Sequence, residues 1–493
     1  MSIRMKDFER MLEESEEAVR AGLGSIVAKR LSGLNTAKIP RQLRLRFANL
    51  CRRAGLVPLG MKVLTPVVRP DRPREADPAT AAEQSEYAML LQRTGATREA
   101  LQTLSKVDTA KAPEALLYQA FCHFSRWSEE DAIPLLERYL ASPLSSYWSL
   151  VGRVNLASAY LGTRRYQEAM ELLDSNLKSA AENNYVKMQA NCLELRAQAN
   201  VKLGEISKAR ADLDLAAKLL ASIETPDQLY ARKWIAILDS LEQKDSDSLL
   251  GFRASAVEKR EWESVRDADR YLLVLEFEQD RFDHLAFGTP YESFRRYLSN
   301  EFPTALPSLR YHYGTKRGPT LVVATGELDG RPTFNPGKKT HQLIDVLLKD
   351  LYRPVPLGAL FSELFPGDHF DIFSSPDRIH QVLRRARRQI EELELPIAIV
   401  EDRGVYSLEL EGPFTFALDF LRGKPEGPSV EFDKLAKIYQ IGEYFGAREA
   451  REALGIPRTS FQRLIAWGLE SGKLEKSGDR NATLYRVASG FTR

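Results

Sequence analysis

One short stretch of the sequence concentrates the side chains that best suit contact with nucleic acid. Residues 375–390, SPDRIHQVLRRARRQI, include five arginines. At 100° per residue, Gln381, Arg384, Arg385 and Arg388 fall on one face of a helix, opposite an apolar face. Arginine and glutamine are the side chains that read base edges and hold phosphates from a helix in a major groove. The alternative is a solvated basic surface, and the surrounding elements must decide between the two.

The sequence also predicts where this helix begins and how it packs. Ser375 suits the N-cap, Pro376 the first helical position, and Asp377 the positive end of the helix dipole. The apolar face, which must rest on neighbouring elements, consists of Ile379, Val382, Leu383, Ala386 and Ile390.

Length and composition allow several folded domains and exclude some classes of protein. The 493 residues are enough for roughly three domains, and 43% hydrophobic residues suffice for their cores. A formal net charge of +2 excludes a global basic field, so any contact with DNA must be local. Cys51, Cys122 and Cys192 lie apart in apolar helical contexts, which favours buried free thiols. Without an apolar run of membrane-spanning or signal-peptide length, we expect a cytoplasmic protein with no membrane contact.

Pairs of small residues twelve positions apart recur along the first part of the chain. They are Ala48 with Gly60, Ala88 with Ala100, Ala120 with Ala132, Ala157 with Ala169, and Ala197 with Ala209. Four positions after each pair comes a leucine: Leu64, Leu104, Leu136, Leu173 and Leu213. Gly55, Gly95 and Gly204 stand five positions before the second small residue. Two helices that cross closely need small residues at the crossing and a tight turn between them, so the pattern predicts a two-helix solenoid.

This repeat resembles the tetratricopeptide repeat (TPR), most clearly over residues 155–177. There Leu156, Ala157, Tyr160, Ala169 and Leu173 take the expected places. The resemblance implies a groove that binds a protein or peptide partner, while a spacer or a homodimer interface is the alternative. Weaker patterning continues to residue 298, where we expect Trp234, Tyr271 and Phe294 to fill the core.

A strand pattern replaces the helical one after the proline-spaced segment 302–318. TLVVATGELDGRPTFN predicts a hairpin with a turn at Asp329 and Gly330, and HQLIDVLLKDL and LGALFSELFPG predict two helices. The arginine-rich helix follows, and IAIVEDRGVYSLEL then predicts two strands around a turn at residues 402–404. A hairpin, three helices and a terminal hairpin in this order form a winged helix-turn-helix.

These residues resemble the OmpR/PhoB-type DNA-binding domain, most closely the version found in SARP-family bacterial activators. The matching stretches are DGRP, KKTHQLIDVLL, HQVLRRARRQI and DRGVYSL, spread over about 90 residues. The resemblance implies that Gln381, Arg384, Arg385 and Arg388 face the groove of double-stranded DNA. It also implies that Arg403 in the wing contacts a phosphate or the minor groove.

A second winged helix is predicted at the carboxyl end. LAKIYQIGEYF, AREAREALGI and PRTSFQRLIAWGLESGKL predict three helices, the third with Phe461, Leu464, Ile465 and Gly468 inside, and LEKSGDRNATLYRV predicts a hairpin. The order resembles the general winged helix-turn-helix of bacterial regulators, and a protein-binding or dimerisation role is the alternative. The predicted DNA contacts are Arg458, Thr459, Ser460, Gln462 and Arg463 at the start of the third helix, and Lys476, Arg480 and Asn481 at the hairpin tip.

The predicted architecture is mainly α, a TPR-like α-solenoid followed by two small α+β winged-helix domains. Its parts are a helical lead (1–40), the repeat array (41–300), a linker (301–318), the first winged helix (319–411), a second linker (412–430) and the second winged helix (431–493).

No enzyme is predicted, because the sequence has no phosphate loop, nucleophile elbow or paired-carboxylate motif. The histidines, including His341, His369 and His380, lack ligand-like spacing, so neither a metal nor another cofactor is expected. We therefore predict a DNA-binding transcription regulator, associated with the nucleoid, whose array senses a protein or small molecule. The alternative is an adaptor whose repeats and winged helices all bind protein.

Overall fold

A computed structural model describes residues 5–20, 23–70, 77–221, 225, 227–419, 432, 435–436, 438–440, 442–456, 458–470, 473–478 and 483–488. The side chains of Arg20, Arg458, Thr459, Ser460, Arg463 and Glu470 lie outside this description. The chain divides into two compact units, residues 1–419 and 420–493, and each is described by itself. Among the described helices, none is long and apolar enough to cross a bilayer.

Helix pairs joined by short turns build the first part of unit one. A lead, α1 (Met5–Arg20) and α2 (Gly24–Ser32), precedes the pairs α3 (Arg44–Arg53) and α4 (Val57–Val68), α5 (Ala81–Arg93) and α6 (Thr97–Leu104), α7 (Glu114–Phe124) and α8 (Glu129–Leu140), α9 (Ser146–Gly162) and α10 (Tyr166–Glu182), α11 (Val186–Lys202) and α12 (Ile206–Leu220), α13 (Asp227–Gln243) and α14 (Asp247–Glu258), and α15 (Trp262–Leu275) and α16 (Gln279–Phe287), followed by α17 (Glu292–Glu301). The array is a TPR-like helical repeat.

The small residues lie where the paired helices approach most closely. All nine alanines of the predicted pairs and all five leucines are 0% exposed. At Gly60, a Cβ atom would lie 3.0 Å from Leu90 Cδ2 and 3.2 Å from the Ala48 carbonyl oxygen. The close crossing that the spacing predicts is therefore present, and it leaves room for little more than a hydrogen atom at that position.

The turns inside the pairs share one backbone conformation even where glycine is missing. Gly55, Gly95 and Gly204 have positive φ, as their predicted turns require. In the two copies without glycine, Trp127 (φ 56°) and Arg164 (φ 63°) adopt the same left-handed conformation. The turn geometry is thus set by the packing of the helix pair, and glycine only makes it less costly.

Buried apolar and aromatic side chains fill the start of the array and its later helices. Phe8 and Leu12 of α1 and Val27 and Leu31 of α2 pack in one cluster with Phe47 of α3, so the lead covers the first repeat. In α13, α15 and α17, Trp234, Tyr271 and Phe294 are at most 4% exposed, as predicted.

An α+β part, called the first winged helix after its predicted order of elements, completes unit one. Its elements are β1 (Arg310–Gly314), β2 (Thr320–Val322), β3 (Glu327–Leu328), β4 (Arg331–Pro332), α18 (Lys339–Leu348), β5 (Val355–Pro356), α19 (Leu357–Leu364), α20 (Ser375–Glu392), β6 (Ile397–Asp402), β7 (Val405–Leu410) and β8 (Thr415–Asp419). One sheet has the order β1-β8-β2-β3-β4 and the other β5-β7-β6. The turn at Asp329 and Gly330 is present, but it joins β3 to β4 while β2 pairs with β3 before it.

The prediction that residues 301–318 and 412–430 are linkers is wrong in part. Each contains a strand, β1 and β8, and these pair antiparallel with Arg310 opposite Asp419. Strand β8 also pairs in parallel with β2, so it lies inside the sheet and not at its edge. The proline and glycine residues in these stretches favoured linkers. Pairing between two strands that lie about a hundred residues apart leaves no pattern in the neighbouring sequence.

One hydrophobic core runs from the array into the winged helix. The same cluster of buried side chains includes Leu90 and Leu104 of the array and Leu360, Phe361 and Leu383 of the winged helix. Because the apolar contact is continuous, the first winged helix is an integral part of unit one.

Unit two contains β9 (Tyr444–Gly446), α21 (Ala447–Leu454), α22 (Arg458–Glu470), β10 (Leu474–Ser477) and β11 (Leu484–Val487), with the sheet order β10-β11-β9. Phe461, Leu464 and Ile465 of α22 are buried, as predicted for its inner face. The predicted first helix extends too far, because Tyr444 and Phe445 lie in β9 and pair with β11.

Candidate nucleic-acid interface

Helix α20 presents two distinct faces, as its sequence predicts. Ile379, Val382, Leu383, Ala386 and Ile390 are at most 6% exposed and pack in the core. The opposite face consists of Gln381, Arg384, Arg385 and Arg388, and all four side chains are exposed.

The outward side chains are available for contact. In the described part of the chain, Gln381, Arg384 and Arg385 have no hydrogen-bond or ion-pair partner. Arg388 Nε lies 2.8 Å from Glu392 Oε1, but these side chains are 78% and 59% exposed. An exposed pair at this spacing contributes about 0.3–0.5 kcal/mol, which a phosphate contact readily replaces.

The other two arginines of the helix are structural. Arg387 donates from Nε and Nη2 to the Ile399 carbonyl oxygen, at 3.1 and 2.9 Å, and so ties α20 to strand β6. Arg378 pairs with Asp368 at 2.8 Å and stacks 4.0 Å above the Phe365 ring. Of five arginines, three therefore face outward and two hold the helix in place.

The start of α20 differs from the prediction by one residue. Ser374 is the N-cap, Ser375 is the first helical residue, and Pro376 follows within the first turn. Asp371 accepts hydrogen bonds from the backbone N–H groups of Phe373 and Ser374, at 2.9 and 2.8 Å. Asp371 thus fixes the backbone directly before α20. The residues of the helix alone could not indicate this role.

A two-residue turn forms the tip of the wing between β6 and β7. Arg403 and Gly404 both have positive φ, 53° and 78°, which is the geometry of a type I′ hairpin. The Arg403 side chain is 83% exposed, with its Nε 3.9 Å from Asp402 Oδ1. The other oxygen of Asp402 pairs with Arg260 of the array. The wing tip therefore carries an exposed arginine beside a carboxylate that the array holds.

A buried ion pair joins the array to the loop after α18. Arg266 of α15 is 0% exposed, and its Nη2 lies 2.6 Å from Asp350 Oδ1. Burial opposes the charge of Arg266, but the carboxylates of Asp350 and Glu263 outweigh burial, and its pKa is raised. Nearby, Tyr352 Oη donates to Asp269 Oδ2 at 3.0 Å.

A second joint lies between the α5–α6 turn and the winged helix. The Gly358 N–H donates to the Thr94 carbonyl oxygen at 3.1 Å, and Glu99 accepts from the Phe370 N–H at 2.8 Å. Arg69 and His369 also contact Glu99. Together the two joints hold the loop after α18, the start of α19 and the approach to α20 against the array.

Inside the array, charged side chains of α11, α13, α15 and α17 are paired with one another. Lys233 lies 2.8 Å from Asp267, Lys202 lies 3.0 Å from Glu301, and Arg270 lies 2.9 Å from the same glutamate. These charges satisfy each other, so they do not by themselves identify the face that would hold a partner.

The three cysteines and the histidines predicted to lack ligand-like spacing have separate surroundings. Cys51, Cys122 and Cys192 are free and buried, and burial raises the pKa of each thiol to about 12, which leaves it unreactive. His341 contacts the Val323 carbonyl oxygen and His380 the Tyr406 hydroxyl, so the structure does not bring these two histidines together with His369. Within the described ranges no group of residues could hold a metal ion.

The predicted contacts of unit two are described only in part. Gln462 is exposed on α22. Lys476 is exposed too, but it lies within strand β10 opposite Tyr485 and not at the hairpin tip. Arg480 and Asn481 lie outside the described residues, as do the side chains of Arg458, Thr459, Ser460 and Arg463.

The sequence matches no protein-family model, and a comparison with curated proteins finds no significant match. Solved structures that are similar include a kinesin light chain from Podosopora anserina with nearly identical TPR-like repeats, at 23% identity and a TM-score of 0.30, covering 36% of this chain and 94% of that one. A Rap protein in complex with competence and sporulation factor is 14% identical with a TM-score of 0.39, covering 61% and 98%. The C-terminal part of a TPR repeat-containing protein from Cytophaga hutchinsonii is 14% identical with a TM-score of 0.29, covering 55% and 98%. TM-scores this low carry no argument. The description of the array as TPR-like therefore rests on its own helix pairs.

Proposed function

We propose that the chain is a DNA-binding transcription regulator in which α20 reads the major groove and the wing contacts the backbone beside it. The observation that carries the proposal is the outward face of α20, where Gln381, Arg384 and Arg385 are exposed and have no partner among the residues that the structure describes. A helix held by core contacts on one side and bearing forked donors on the other fits direct readout of bases. On this proposal the chain acts in the cytoplasm, associated with the nucleoid.

The role proposed for the array is to receive a protein or small-molecule signal and pass it to the reader. The support is physical continuity, because the array and the first winged helix share a core and two polar joints. Unit two is proposed to add a second contact with DNA through Gln462 and Lys476. Two linked contacts raise the overall affinity without a strongly basic chain.

DNA binding can be tested with the full-length chain and random-sequence duplexes enriched over successive rounds. Affinity for the enriched duplex is then measured at several salt concentrations. The triple variant Arg384→Ala, Arg385→Ala, Arg388→Ala should weaken binding. Each of the three arginines that lies on a phosphate contributes about −0.9 to the slope of log affinity against log salt, so the slope should flatten by up to about 3.

A matched control removes three exposed cations elsewhere in unit one: Arg10→Ala, Lys111→Ala and Lys208→Ala. These side chains are 81%, 78% and 67% exposed, and each forms a local pair comparable to that of Arg388. If both triple variants bind like the unmodified chain, α20 is not a DNA reader.

The second candidate is an adaptor that binds protein throughout. The observation in its favour is that helix pairs occupy most of unit one, while the whole chain has a net charge of only +2. An adaptor would enrich no duplex, and any weak binding would be equal in the two triple variants.

A further inference from the structure

A cleft separates the last turn of α14 from the sheet that carries the wing. Its volume is about 530 Å³, within the range of pockets that hold small molecules. Val257, Arg260 and Trp262 line it from the array, while Val400 and Val405 line it from the wing. A molecule in the cleft would therefore contact both parts of unit one at once.

The arginines of the cleft are already engaged. Arg260 pairs with Asp402, and Arg353 is bonded to Tyr291 and lies within 4 Å of the carboxylates of Glu263 and Asp350. An anionic ligand would have to displace these internal partners.

The free charges of the lining are both negative. Glu258, at the end of α14, and Glu409, on β7, are exposed and have no hydrogen-bond or ion-pair partner among the described residues. They approach the cleft from its two sides, one from the array and one from the wing sheet.

Aromatic rings stand beside these carboxylates. Trp262 and Tyr313 line the cleft and are half-buried, and neither the indole N–H nor the phenol hydroxyl has a hydrogen-bond partner there. Burial, together with the nearby carboxylate of Glu409, raises the pKa of Tyr313. Aromatic faces next to free carboxylates are the surroundings that attract an organic cation.

We propose that this cleft binds a small organic cation, an apolar or aromatic body that bears one protonated amine, with the amine between Glu258 and Glu409 and the body against Trp262. The apolar side chains of β6, β7 and α18 form the remaining wall. Binding of the cation does not depend on the proposed DNA-binding function. Its consequence for regulation does rest on that function, because such a ligand would set the position of the wing relative to the array.

Three probes with the same ring system and different head groups test the charge preference: 2-(2-naphthyl)ethylamine, 2-(2-naphthyl)ethanol and 2-naphthylacetate. Their affinities for the full-length chain are measured by calorimetry in the absence of DNA. The amine should bind about tenfold more tightly than the alcohol, as expected for one well-placed charge contact, and the acetate should bind most weakly.

Variants then locate the site. Glu258→Gln together with Glu409→Gln should reduce the affinity for the amine to that for the alcohol, whereas Glu411→Gln, an exposed glutamate outside the lining, should leave it unchanged. Trp262→Leu should weaken binding of the amine and the alcohol alike. Equal affinity for all three probes, or an amine affinity unaffected by the double variant, would overturn the proposal.

The regulatory consequence has its own readout. The amine should change the affinity of the unmodified chain for its enriched duplex at least severalfold and leave that of the double variant unchanged. If the amine binds but the chain enriches no duplex, the DNA-binding function is refuted and the proposed cation site stands.

Discussion

Arg260, in the turn between α14 and α15, forms an ion pair with Asp402 at the tip of the wing, directly before Arg403. Asp402 thus lies between a cation of the array and the arginine expected to touch DNA. The contact connects the array to the tip of the wing, which the proposed function places against the phosphate backbone of DNA.

Breaking this pair should affect binding more than stability. The side chains of Arg260 and Asp402 are 41% and 47% exposed, so a double-mutant cycle with Arg260→Ala and Asp402→Asn should give a coupling below about 1 kcal/mol. Asp402→Asn also removes a negative charge beside Arg403 and should raise DNA affinity severalfold at low salt. Titrations with the enriched duplex measure this effect, and a weaker complex would show that Asp402 supports the wing in its bound position.

The buried pair of Arg266 and Asp350 should behave in the opposite way. Arg266→Ala leaves the largely buried Asp350 carboxylate without its main partner, and such a loss costs about 3–5 kcal/mol. Urea unfolding should show an early transition of unit one in this variant. Arg10→Ala, at an 81% exposed position, is the control and should leave the curve unchanged. A small shift for Arg266→Ala would mean that water or Glu263 replaces the lost contact.

Two helical glycines give a matched test of the joint at the α5–α6 turn. A Cβ atom at Gly358 would lie 2.6 Å from the Thr94 carbonyl oxygen, whereas nothing lies within 4 Å of one at Gly251 in α14. Gly251→Ala should stabilise the chain by up to about 1 kcal/mol, because alanine is the better helix former. Gly358→Ala should destabilise it despite the same gain, as measured by thermal unfolding. Equal shifts in the two variants would show that the joint can open without cost.

Glu129, at the start of α8, should make stability depend on pH. Burial, together with Asp267 and Glu130, raises the pKa of its carboxyl to about 7 from an ordinary value of 4.5. Because the folded chain then holds a proton that the unfolded chain has released, stability should fall as pH rises from about 4.5 to 7 and change no further above it. Glu129→Gln should match the unmodified chain near pH 4.5 and exceed it at pH 8 by on the order of 1–3 kcal/mol.

The control for this experiment is Glu182→Gln, at an exposed position on α10. Denaturant midpoints of the three chains are compared at both pH values. A gain for Glu129→Gln that is the same at pH 4.5 and pH 8 would show that packing, and not ionisation, is responsible.

Short-range sequence patterns predicted the elements that neighbouring residues determine. The paired alanines indicated the helix crossings because only small side chains fit where two backbones approach, and the two faces of α20 follow from the helical period. Trp127 and Arg164 escaped prediction, because their left-handed conformation is imposed by the helix pairs and not by the residues themselves.

The strand pairs and ion pairs that were not predicted join residues far apart in the chain. Strand β1 pairs with β8, and Tyr444 pairs with Arg486 of β11, neither of which a window of neighbouring residues can indicate. The contacts of Arg266 with Asp350 and of Arg260 with Asp402 join residues 84 and 142 positions apart. The sequence around these residues is like that around charged residues exposed to solvent, so it could not indicate the contacts between the array and the first winged helix.

The shared core of array and winged helix bears on how this chain could have been assembled. A reader attached through a tether can be exchanged between proteins as an independent cassette, since its removal uncovers no apolar surface. Here, a chain shortened to begin at residue 319 would lose β1 and expose the side of α19 that packs on the array. The array and the first winged helix therefore cannot be exchanged separately between proteins without uncovering apolar surface that the shared core now buries.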